Sequence, residues 1–155
     1  MENQYRVGQL TKELVAAELR NAPDPCLIAA QTIHKTLAVT LKAIPAGDGA
    51  GGIAIEEAVR GGLQGLLLAD LDVAKAGLLT LRELATLAQD LGRDPMEMLM
   101  SAMRGMASLK RLMPPEQMDR LRRAIESEFD GAGEAFAWLL AQVPDPGKAS
   151  RPAGA

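Results

Sequence analysis

Apolar residues recur at three- and four-residue intervals along most of this chain, and no stretch alternates strictly, so the pattern predicts helices and no strands. A first helix is predicted over residues 4–21, with Val7, Leu10, Leu14 and Ala17 at helical spacing, and "APDPC" stops it. Asp24 followed by Pro25 makes an N-cap and first helical position for a second helix. That helix reaches about Ile44 with Leu27, Ala30, Ile33, Leu37 and Leu41 on one face. "PAGDGAGG", residues 45–52, reads as the one flexible loop inside the domain. A third helix follows over 53–69, and Asp70 or Asp72 caps a fourth that ends at Leu91 before Gly92. "RDPME" starts the fifth, with Asp94 as cap, Pro95 at the first position and Glu97 three residues beyond the cap; it reaches about Leu112. "MPPEQ" opens the sixth, whose face carries Met118, Leu121, Ile125, Phe129, Ala132 and Phe136, with Gly131 and Gly133 as places where it bends.

Composition agrees with this reading. The hydrophobic content is 48%, mostly Ala, Leu and Met, which favour helix, and the aromatics are confined to Tyr5, Phe129, Phe136 and Trp138. A chain of 155 residues fits one domain and can bury roughly 70% of its unfolded surface. The expected fold is all-α, an antiparallel helical bundle of about six helices formed by residues 1–143. Residues 144–155, rich in Pro and Gly and poor in apolar side chains, read as a disordered tail.

Charge and cysteine usage narrow the class. A net charge of −3 gives no global attraction to nucleic acid, which is disfavoured as a partner. Cys26 stands alone, which excludes an internal disulfide and fits a reducing compartment. The N-terminus has no apolar signal core, and "GGLQGLLLA", residues 61–69, is far shorter than the roughly 20 residues of a membrane span. A cytoplasmic protein without a membrane span is expected.

Gly61, Gly62 and Gly65 fall inside the third helix, where each costs roughly 1 kcal/mol relative to Ala. Gly61, Gly65 and Ala69 recur every four residues, as Gly133, Ala137 and Ala141 do on the sixth helix. Small residues so spaced let a neighbouring backbone approach closely, either inside the chain or from a partner. With no preceding strand and no GK[ST] signature, a phosphate loop is disfavoured. Residues 100–109 echo 56–65, with Ala102, Arg104 and Gly105 matching Ala58, Arg60 and Gly61; shared packing demands or an internal duplication both account for it. The cadence is similar to that of small bacterial helical proteins.

Five of the eight methionines lie between 96 and 106. Met96, Leu99, Met100, Met103 and Met106 form one stripe, and Met98 falls off it, so Met98 is expected to be more exposed than Met100 or Met103. Methionine fills irregular cores and also serves surfaces that accept varied partners. Arg104, Lys110, Arg111, Arg120, Arg122 and Arg123 outnumber Glu116 and Asp119 in the segment that follows, without aromatic stacking partners, which reads first as a solvated face.

Groups for catalysis or metal binding are sparse. His34 is the only histidine, and Cys26 lies about 80° away around the same helix. A four-ligand zinc site is out of reach, and the Glu of a di-iron Glu-x-x-His pair is replaced by Gln31. No catalytic, cofactor-binding or metal residue is assigned, and no cofactor is expected.

Trp138, the only tryptophan, lies about 180° around a continuous helix from Phe129. Either a crossing helix covers it within the monomer, or it anchors a contact between subunits. The expected role is therefore a non-enzymatic interaction module that forms a homo-oligomer or binds a protein partner, with Gly61, Gly65, Met98, Met103 and Trp138 as its contact residues. The Ala, Leu and Met content on amphipathic helices also resembles that of phasins, and this resemblance implies a peripheral coat on an apolar or lipid surface. An enzyme with a pocket between helices near His34 is the other alternative.

Overall fold

A computed structural model of the chain describes residues 2–19, 23–69 and 71–144. All of its regular structure is helical: α1 (Glu2–Leu19), α2 (Pro25–Lys42), α3 (Gly49–Leu68), α4 (Val73–Leu91), α5 (Pro95–Ala107), α6 (Pro115–Glu128) and α7 (Ala132–Gln142). The expected all-α class holds, with seven helices among the described residues rather than six. Residues 145–155 of the tail lie outside the described residues.

Aspartates start four consecutive helices. Asp24, Asp48, Asp72 and Asp94 each accept a hydrogen bond from a first-turn amide, those of Leu27, Ala50, Lys75 and Met96. Asp48 corrects the expected 45–52 loop: α3 begins at Gly49, because the Asp48 carboxylate takes the Ala50 amide at 2.9 Å. The last four glycine-rich positions of that loop are thus a helical first turn. Gly92 ends α4 in the left-handed conformation, at φ 64°. α5 stops at Ala107, short of the expected Leu112, and the chain tightens into three-residue turns (Leu109 N–H to Met106 O, Lys110 N–H to Ala107 O).

The expected sixth helix is two helices. Phe129 turns extended, and Gly131 takes φ +86°. The Glu126 carboxylate then reaches past the break and accepts from the amides of Gly131 and Gly133, both at 2.9 Å. An acidic side chain thus fills the electropositive start of α7 and stabilises the break.

α3 is the central element, packed by α1, α2, α4 and α5. Its buried residues cover more than half of its circumference, and the face with Ile53, Glu57, Arg60, Gln64 and Leu68 is half-buried or exposed. α6 packs on α4, and α7 on α5 and α6. One core joins Ile33 and Leu37 of α2, Leu63 and Leu66 of α3, Leu81 and Leu84 of α4, Met106 of α5, Leu121 of α6 and Phe136 of α7.

Candidate functional site

The glycine face is filled from within the chain. A Cβ at Gly61 would lie 2.1 Å from the Gly8 carbonyl oxygen of α1, and one at Gly65 would lie 3.3 Å from Val15 Cγ1 of the same helix. Gly62 has a different neighbour, Ile33 Cδ1 of α2 at 2.6 Å. Gly61 and Gly65 are therefore buried under α1, which corrects their assignment as residues open to a partner. Gly105 performs the equivalent service on another side of α3, where a Cβ would lie 2.5 Å from the Glu56 carbonyl oxygen. The matched glycines of the echo, Gly61 and Gly105, are each the point where a second backbone crosses α3.

The methionine helix is turned relative to expectation. Met98 is 2% exposed, Met103 is 3% exposed, and Met96 is the exposed one at 67%. This corrects the expected exposure of Met98. Large apolar side chains suggested a stripe through Met96 and Met100, but the buried face is centred on Met98, Ala102, Gly105 and Leu109. Gly105 permits a close approach to the α3 backbone at Glu56, with Ala102 buried beside it, and that approach sets the rotation of α5. The outer edge of this helix, with Met96, Met100 and Arg104, borders an open cavity of about 730 Å³ between α5 and the start of α3. Arg93 closes one side, its guanidinium donating to the carbonyls of Leu41 (2.9 Å) and Ile44 at the end of α2.

Trp138 stands on α7 with its side chain 59% exposed, while Phe136 two residues away is fully buried. The break at Phe129–Gly131 leaves Trp138 outside any continuous phase with Phe129, and no helix among the described residues covers it. Ala137 and Ala141 flank it and are exposed too. Of the small-residue row Gly133, Ala137 and Ala141, only Gly133 is buried, against Glu126.

Three of the six cations of the basic segment are engaged. Asp119 holds Arg122 at 3.1 Å and Arg123 at 2.6 Å, and the Lys110 ammonium donates to the Leu140 and Val143 carbonyls at the end of α7. Burial pushes the Glu56 carboxyl up, with Arg104 pulling against that shift.

His34 Nδ1 on α2 lies 3.0 Å from Glu83 Oε2 of α4, a close approach without the alignment of a hydrogen bond, and His34 does not line the cavity beside α5. Cys26 is buried and its Sγ–H donates to the Asp72 carbonyl at 3.3 Å; burial pushes the thiol up, away from thiolate reactivity. Among the described residues no group of three His, Cys, Asp or Glu could hold a metal ion, and no helix is long and apolar enough to cross a membrane.

Comparison with protein families, with curated proteins and with solved structures gives no match to this chain.

Proposed function

We propose that this chain is a non-enzymatic helical interaction module that self-associates through the α7 face centred on Trp138. The single observation that supports it is an exposed tryptophan, at 59%, flanked by exposed alanines on a helix whose opposite side is anchored in the core by Phe136. Tryptophan is enriched at the centres of interfaces, and small neighbours leave room for a facing helix. The test is the association state of the full chain. By sedimentation the parent forms a dimer or larger species at tens of micromolar, and Trp138→Ala shifts it toward monomer with its helical signal unchanged. A parent that is monomeric at that concentration overturns self-association.

The methionine-bordered cavity supports a second reading, a groove that takes an apolar peptide segment. Its volume, about 730 Å³, and the flexible thioethers of Met96 and Met100 suit a varied occupant. Labelled amphipathic helical peptides would report it through broadening at these two methyl groups. The coat reading draws less support, because the exposed large apolar residues among those described (Leu10 and Leu14 of α1, Val39 of α2, Ile53 and Leu68 of α3, Met96 of α5, Leu112 after it and Trp138 of α7) are spread over five helices and a turn. An enzyme near His34 draws support only from the proximity of Glu83.

A further inference from the structure

A second cavity, of about 440 Å³, opens between the start of α6 and the end of α7. Its apolar lining comes from Met113 and Met118, each only 6% exposed, with Pro115 and Leu140. Among the described residues its charged lining is Lys110, which donates to the Leu140 and Val143 carbonyls, with Arg111, Arg122 and the carboxylate of Asp119. That carboxylate is already engaged twice, by Arg122 and by Arg123. Arg111 is exposed and makes no ion pair among the described residues. The start of α6 also lies at the cavity; its N-cap, Pro114, offers no side-chain acceptor, and Glu116 is the one acidic residue of its first turn. An apolar floor under a cationic rim is complementary to one kind of ligand, an alkyl chain ending in an anion. The volume lies within the 300–1,000 Å³ of small-molecule sites.

We infer that this cavity binds a free medium-chain carboxylate, with the alkyl chain on Met113, Met118 and Leu140 and the carboxylate at the Arg111 guanidinium. The inference does not depend on the α7 interface, since Trp138 does not line the cavity. Carboxylate and guanidinium match in geometry and charge, and a charge-assisted hydrogen bond of this kind is stronger than a neutral one.

The test titrates monomeric decanoate into the full chain by calorimetry, with decanol and decyltrimethylammonium as probes of the same chain length. One saturable site for decanoate is expected, with decanol about tenfold weaker, the loss of one charge-assisted hydrogen bond, and the cation weaker still. Arg111→Gln, an exposed position, lowers decanoate affinity to near that of decanol and leaves decanol binding unchanged. Methyl spectra place the ligand: the Met113 and Met118 signals shift and those of Met96 and Met100 do not. Equal affinity for decanoate and decanol, or an unchanged Arg111→Gln, overturns the assignment. So do shifts confined to Met96 and Met100, or binding only to phosphatidylglycerol vesicles with none to monomeric decanoate.

Discussion

Gly61 of α3 faces Gly8 of α1 at a backbone crossing so close that a Cβ at position 61 would lie 2.1 Å from the Gly8 carbonyl oxygen. Gly65, one turn on, has 3.3 Å to a side-chain methyl of Val15. The two positions should respond differently to alanine. At Gly61 the obstacle is backbone, so overpacking of about 1–3 kcal/mol exceeds the roughly 1 kcal/mol gained in helix propensity. At Gly65 the valine need yield only a few tenths of an ångström, and the two effects offset. Urea unfolding of Gly61→Ala and Gly65→Ala checks this, with a clear loss for the first and a change within about 0.5 kcal/mol for the second. Gly65→Leu, whose branches have nowhere to go, loses stability.

Gly131 isolates the cost of backbone conformation. It has φ +86°, and nothing lies within 4 Å of where its Cβ would be. Gly131→Ala therefore introduces no clash and still costs about 1–2 kcal/mol, the penalty of a left-handed residue. Thermal melting of Gly131→Ala beside Gly49→Ala, another open position but in ordinary helical conformation, separates the two effects.

The methionines of α5 should oxidise in the order of their exposure. Met96 reacts first under mild peroxide, Met100 follows, and Met98, Met103 and Met106 are protected until the core opens. Peptide mass analysis at early times reads the order. Oxidation of Met98 ahead of Met96 would contradict the observed rotation of α5.

Glu126 gives the break before α7 a pH dependence. The Gly131 amide, joined by that of Gly133, holds its carboxyl below the usual carboxylate range. In the unfolded chain the same group takes up a proton at about pH 4.3. Its contribution is present above that pH and is lost as the pH falls through the lower folded value. Glu126→Gln should therefore lower the melting temperature at pH 7 and flatten the decline of stability in acid. A variant with the parent's acid limb would show that other carboxylates carry it.

Local chemistry was legible wherever it is self-contained. Asp24, Asp94 and Gly92 act at the helix ends where their residue types and spacing put them, because a cap bonds within its own turn. The break at Gly131 was legible as a bend only. Its completion needs Glu126, five residues back, to supply the acceptor for the new first turn. Asp48 was hidden by glycines that read as a loop, although a Cβ at Gly51 or at Gly52 would lie 3.1 Å from the Arg93 or Ser101 side chain of a distant element.

The sequence by itself determined that the chain is helical, where most helices begin and end, and that Gly61 and Gly65 meet another helix. Periodicity and capping depend on neighbours a few residues away, which a sequence displays. Tertiary structure decided which faces stay open. Gly61 and Gly65 went under α1, Met98 turned inward, and Trp138 remained outside. The decision at α5 was made at Gly105, with Ala102 buried beside it, where that helix settles close to α3. A periodic pattern weighs large apolar side chains most heavily, whereas packing is ruled by the distance to which two backbones can approach.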